Sequence, residues 1–151
     1  MNPEEVQEKI KQYENFIEDR LKNDLKEIEL ILKTKVEKHK DWEEVKEMTK
    51  LLRTFKEKNR DMAVKVDIGN GFMVQGEISD YERNYIQIGL GYMLEMDCDE
   101  ADKYSDIRMK LLQKEIAHFR KLAVDIKVHI KLTLLAMSEL QGTMIQPLKV
   151  N

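Results

Sequence analysis

Seven features of this 151-residue sequence carry residue types that could do chemistry. Cys98, the only cysteine, stands in Asp97-Cys98-Asp99-Glu100, a helix-start phrase, and a helix N-terminus can lower a thiol pKa enough to make a nucleophile. No histidine lies near it in sequence to act as its base, so a bystander thiol is the better reading. His39 has no Cys, Asp or His at ligand spacing, which makes it a packing residue. His118 and His129 are eleven residues apart, about three helical turns, too far to share a metal. Two Gly-x-Gly motifs, Gly69-Asn70-Gly71 and Gly89-Leu90-Gly91, could begin a phosphate cradle. The dinucleotide fingerprint requires a third glycine, where Val74 and Leu94 stand, and a helix opening at the loop. Trp42 reads as packing rather than a cofactor platform. With no carboxylate pair, metal cluster or nucleophile–base set at chemical spacing, the expectation is a protein that is not an enzyme, without cofactor or metal.

The elements that hold these residues explain them better. Val66 to Gln75 reads V-D-I-G-N-G-F-M-V-Q, and Ile86 to Glu95 reads I-Q-I-G-L-G-Y-M-L-E. The two phrases match at an offset of 20 positions. Alternation and β-branched and aromatic content predict strands, each broken by Gly-x-Gly where the chain turns. Strands are expected at 63–68, 72–78, 84–88 and 92–96. Gly69–Gly71 and Gly89–Gly91 are the preferred hairpin turns, with Ser79–Asn84 as the competing bend. Four short strands cannot close a barrel or cover both faces of a sheet. Val64, Val66, Ile68, Phe72, Val74, Ile86, Ile88, Tyr92 and Leu94 would then face water in a lone chain, and open edges with an uncovered face predict assembly with other chains.

On either side runs a long stretch without glycine. Asn2-Pro3-Glu4-Glu5 is a helix start. From it an apolar stripe continues through Val6, Ile10, Tyr13, Ile17, Leu21, Leu25, Ile28, Leu32, Val36, Trp42, Val45, Met48, Leu52 and Phe55. This predicts a first helix over 3–60, about 85 Å long at 1.5 Å per residue. Asp97 as cap and Glu100 as its box partner begin a second helix over 98–141. Its stripe includes Tyr104, Ile107, Leu111, Leu112, Ile116, Ala123, Ile126, Ile130, Leu134, Met137 and Leu140, and Gly142 ends it, with Pro147 beyond.

The expected fold is α+β, mainly α: one domain over 1–151, a long antiparallel coiled-coil hairpin with two short β-hairpins, four strands in 63–96, at the bend. Because the arms are unequal, Val6, Ile10 and Tyr13 should project beyond Leu140, beside an apolar tail (142–151) holding Met144, Ile145, Leu148 and Val150. Exposed apolar groups there suit weak contact with varied partners; the alternative is that tip and tail pack on each other.

Composition bounds the rest. Charged residues are 36%, aromatic residues 7%, and the net charge is −3. Residues 1–62 carry 15 basic and 16 acidic side chains, residues 63–97 carry 2 and 6, and the remainder 9 and 7. No segment is basic enough to neutralise a phosphate backbone, which disfavours direct nucleic-acid binding. A lone cysteine fits a reducing compartment. No apolar run of about 18 residues exists, so no membrane span is expected.

The plan of helix, four strands and helix, with twin I-G-x-G-aromatic repeats, resembles an α-class prefoldin subunit. One branch of that class is matched more closely, through Tyr13-Glu14-Asn15-Phe16-Ile17 with Asp24-Leu25, Val66-Asp67-Ile68-Gly69, Leu90-Gly91-Tyr92-Met93-Leu94-Glu95, Asp125-Ile126-Lys127-Val128-His129-Ile130 and Glu139-Leu140-Gln141-Gly142. The resemblance spans about Tyr13 to Gly142. Asn70 in the first Gly-x-Gly and an acidic extension before Tyr13 depart from the pattern. It implies a hetero-oligomer whose strands form a β-barrel platform and whose coiled coils hold clients without ATP. For this branch it implies a prefoldin-like complex with a URI-like α-class partner and β-class prefoldins, in cytoplasm and nucleus, supporting assembly of large machines. A transcription-cofactor role, in which the arms bind folded regulators, is the alternative. On this resemblance Val6, Ile10, Tyr13, Leu140, Met144 and Ile145 are the candidate client-binding tip.

Overall fold

A computed structural model describes residues 2–145, with the side chains of 143–145 left out of the description. The chain is mainly helical: α1 (Pro3–Asn15) runs through a π-helical turn (Phe16–Leu21) into α2 (Lys22–Glu57). Four strands follow, β1 (Met62–Asp67), β2 (Met73–Ile78), β3 (Asn84–Gly89) and β4 (Tyr92–Met96), and then α3 (Cys98–Ile145). It divides into two compact units, one within residues 1–36 and 114–151, the other over Glu37–Gln113. The sequence predicts one domain.

The 1–36/114–151 unit is a pair of antiparallel helical segments. Glu29 pairs with Lys127 at 2.9 Å and Lys35 with Glu115 at 2.8 Å, so position rises on one segment as it falls on the other. Ile17, Leu21 and Met137 form its buried cluster, with Ile10, Ile126 and Ile130 packed against it. The π turn has a cause in the sequence. Ile17, Leu21 and Leu25 follow at four-residue steps, longer than the 3.6-residue turn, so an α-helix would carry them off the seam. One wide turn, closed by the Lys22 N–H on the Ile17 carbonyl, takes up the excess.

The Glu37–Gln113 unit holds both hairpins and the helix ends they join. The Asn59 backbone takes a left-handed conformation (φ 48°) just past α2. The Arg60 N–H bonds to the Phe55 carbonyl and the Asn59 N–H to that of Lys56, the arrangement that satisfies orphan carbonyls at a helix end. Asn does here what Gly usually does. At the start of α3 the expected box forms: the Glu100 N–H donates to Asp97 Oδ1 (2.7 Å) and the Asp97 N–H to Glu100 Oε2 (3.0 Å).

The helix seam departs from the purely apolar stripe in this unit. Val36 and Leu134 of the expected stripe are exposed in the other unit; in this one Met48, Ile107 and Leu111 are exposed, whereas Thr49 and Ser105 are buried. Small side chains let the helices approach, and each hydroxyl is satisfied locally, Thr49 on the Lys46 carbonyl and Ser105 on that of Ala101. An apolar count passes over such positions.

The second helix also runs past its expected end. Gly142 lies inside α3, which continues to Ile145. A β-carbon added at Gly142 would meet nothing within 4 Å. Gly142→Ala should therefore stabilise the chain by about 0.5–1 kcal/mol, through helix propensity and a less flexible unfolded state. Urea denaturation followed by circular dichroism measures this; a loss of stability would mean that the helix ends at Gly142.

Candidate functional site

Both Gly-x-Gly motifs lie at hairpin tips, which settles the turns in favour of Gly69–Gly71 and Gly89–Gly91. β1 pairs antiparallel with β2, Val64 opposite Gly76 and Val66 opposite Val74. β3 pairs with β4, Ile86 opposite Leu94, with a register shift between Gln87 and Gly89. The glycines have positive φ, and so do Asn70 (52°) and Leu90 (52°) between them. Asn tolerates that region; a leucine in it is under strain. Leu90 is also 97% exposed.

Each hairpin is anchored at its base and open towards its tip. Met62 at the start of β1 and Met96 at the end of β4 are buried. Met62 joins Leu52, Tyr81 and Cys98 in one cluster, with Phe55, Val64 and Ile78 against it. Outward from there, burial falls. Val64 and Ile86 are half-buried; Val66, Ile68, Phe72, Val74, Ile88, Tyr92 and Leu94 are exposed. The nine strand residues singled out from the sequence therefore form two partly rooted, outwardly open apolar faces. Met73, Tyr85 and Met93, on the opposite faces by strand alternation, are exposed as well. The repeated aromatic-Met step was visible in the sequence, but strand parity assigns Met73 and Met93 to the other side. The two sheets are separate and two-stranded, so each described strand has one edge without a sheet partner.

Tyr81 is the residue that sequence reasoning missed. It lies in the polar stretch between the hairpins, yet is buried, and its hydroxyl donates to the Arg60 carbonyl at 2.6 Å. The neighbouring Asp80 gives a partial signal: it accepts from the Glu82 N–H (2.9 Å), fixing the turn that delivers Tyr81 inward.

The residues with chemical potential are placed apart. The buried Cys98 thiol donates to the Tyr81 carbonyl at 3.4 Å. His39 lies on the seam, its Nε2 3.2 Å from the Gln113 amide nitrogen and its Nδ1 3.4 Å from Glu43. His118 packs edge-on against Phe119, and His129 is exposed. Trp42 packs edge-on against Tyr104 at 5.3 Å, beneath the Arg108 guanidinium at 5.8 Å. Among the described residues no group of three or more His, Cys, Asp or Glu could hold a metal, and no helix is long and apolar enough to cross a membrane.

The tip differs from expectation. Val6 is buried, and Ile10 packs on the Ile17–Leu21–Met137 cluster. They do not project unpaired. Leu140 is half-buried and Tyr13 is 38% exposed. The side chains of Met144 and Ile145, like Leu148 and Val150, lie outside the described residues.

Paired helices with two unclosed hairpins define a class of protein that presents open strand edges. The prefoldin-subunit family model matches residues 25–143. A UXT homolog of Nematostella vectensis is 32% identical over 138 residues, covering 91% of this chain and 87% of that one. Human UXT is 32% identical over 141 residues, covering 89% and 85%. The cryo-EM structure of filamentous PFD from Methanocaldococcus jannaschii aligns with TM-score 0.47 at 15% identity, over 86% of this chain and 98% of that one. The chain belongs to the prefoldin family. The UXT proteins are the branch that its sequence phrases resemble. Membership in a family of subunits implies oligomerisation with other prefoldin-type subunits.

One ion pair ties the helices of the Glu37–Gln113 unit in a pH-dependent way. The Lys46 ammonium bonds the Asp106 carboxylate. That hydrogen bond is the largest influence on the Asp106 carboxyl; burial, second in size, opposes it, and the charges of Lys46, Lys110 and Lys50 add to it, so the carboxyl is held below its ordinary range. A carboxyl whose pKa is depressed by folding contributes stability above its unfolded pKa and loses it as pH falls through the folded value. Thermal melts between about pH 5 and pH 2 should show a steeper loss of stability in the parent than in Lys46→Met. Equal slopes would remove the pair from the balance.

Proposed function

We propose that this protein is a subunit of a hetero-oligomeric prefoldin-like co-chaperone complex that works without ATP in cytoplasm and nucleus. Its hairpins add their strands to those of other prefoldin-type subunits, a URI-like α-class partner and β-class prefoldins. Its helices hold unfolded or assembling client proteins and so support protein folding and the building of large complexes. One observation carries this reading: exposed apolar strand faces coincide with strand edges that have no sheet partner. Water is a poor neighbour for the apolar faces, the open edges are templates for pairing, and added strands use both at once. Native mass spectrometry of the tagged chain from its own cells should find a hetero-oligomer with prefoldin-type partners. Val66→Lys with Leu94→Lys, one in each hairpin, should release those partners without lowering helix content. A lone chain or a homodimer would sink the proposal.

For clients, Tyr13 and Phe16 replace Val6 and Ile10 as the exposed apolar groups near the start of the chain. Tyr13→Ser with Phe16→Ser should weaken suppression of aggregation of a chemically unfolded test protein several-fold, with assembly unchanged. An undiminished effect would place client contact elsewhere.

The second reading, a scaffold or transcription cofactor that binds folded regulators, is favoured by a different observation. Val124, Val128 and Leu132 are exposed along the helix flank, where a folded partner can lie. On this reading the Tyr13 and Phe16 substitutions leave partner binding intact.

A further inference from the structure

The segment of α3 from Leu122 to Met137 has only three charged side chains, Asp125, Lys127 and Lys131, and is apolar on two sides. Towards its partner segment it presents Ala123 and Met137, buried, and Ile126 and Ile130, packed on the core cluster. At about 100° per residue, Val124, Val128, Leu132 and Leu135 lie roughly 160° around the helix from that seam. All four are about half exposed, at 56%, 48%, 57% and 53%. Their spacing of four, four and three residues makes a straight stripe about 16 Å long. A surface helix needs one apolar face; a helix apolar on opposite faces is one that packs on both.

The charges beside the stripe are of one sign along one edge. Arg120, Lys127 and Lys131 fall within about 60° of Val124 on the same side, at 100° per residue. Lys121 continues the stripe towards the helix start. Lys127 is paired to Glu29, whereas Arg120, Lys121 and Lys131 make no ion pair among the described residues. Asp125 stands near the other edge, and Glu139 continues the stripe towards the helix end.

We propose that this outer face of α3 docks an amphipathic helix of a partner protein, with apolar residues at i, i+4, i+7 and i+11 and acidic residues alongside them. Charge complementarity selects an acidic flank, because one facing Arg120, Lys121 and Lys131 gains attraction and a basic one is repelled. The same charges oppose a second copy of this chain, whose face carries the same bases. Size argues likewise: a patch on the order of a few hundred Å² is functional on a monomer, but falls short of the roughly 800 Å² per partner of a stable dimer. A single helix laid on a stripe needs no more than this. The stripe lies wholly outside the hairpin-bearing unit, so the proposal stands or falls independently of strand assembly.

The test uses two labelled helical peptides with the same leucine stripe, one flanked by glutamates and the other by lysines, titrated against the full chain by fluorescence anisotropy. The acidic peptide should bind at least tenfold more tightly, and the preference should shrink with added salt. Val128→Asp and Leu132→Asp should each weaken it about tenfold or more with helix content unchanged. Lys131→Glu, which leaves the apolar stripe intact, should reduce the preference for the acidic peptide. Equal affinity for both peptides, or parental affinity in the Val128 and Leu132 variants, overturns the proposal. So does a chain dimer that Val128→Asp dissociates in sedimentation, since a second copy would then cover the face.

Discussion

The cluster of Leu52, Met62, Tyr81 and Cys98 is the contact on which the hairpin-bearing unit depends. It joins α2, β1, the segment between the hairpins and the first residue of α3, with Ile78 of β2 at its border. A two-stranded hairpin has no stability of its own in water, so each must be rooted in something already packed. The cluster supplies that root at the base of the strands and nothing further out. Outward from that root, Val66, Ile68, Phe72 and Val74 on one hairpin and Ile88, Tyr92 and Leu94 on the other are exposed.

The helix seam shows how physical requirements can disagree with a simple pattern. Apolar periodicity locates a seam well where the seam is apolar, as for Ile17, Leu21, Ile126 and Ile130. In the hairpin-bearing unit it is led astray, since Thr49 and Ser105 are inside while Met48 and Ile107 are outside. A buried hydroxyl that bonds to its own helix carries little penalty and takes little room, and sequence gives no sign of it beyond small size. Lys46 and Asp106 add a charged pair at the margin of the same seam.

Much of the fold was legible because its signals are local. The twin Gly-x-Gly phrases give hairpins with their turns in the right places, and Asp97 with Glu100 gives the start of α3. The helix ends were harder. Asn59 stops α2 in a left-handed conformation that many asparagines never adopt, while Gly142 fails to stop α3 although glycine commonly does. Neither outcome follows from residue type alone. Tyr81 was hidden for a related reason: its neighbours are polar, and only the turn made by Asp80 sends it inward. Which strand residues share a face was legible because alternation fixes it; the burial of Val6 was not, because it is a matter of tertiary packing.

Cys98 is buried in the hairpin root, and that makes it informative in another sense. The chain has a single thiol, 8% exposed and held on the Tyr81 carbonyl. A thiol reagent reaches it only when the cluster around it opens. The rate of its modification therefore clocks the local opening of the hairpin root, so the chain carries its own reporter of how long its exposed strands stay in place while they wait for a partner.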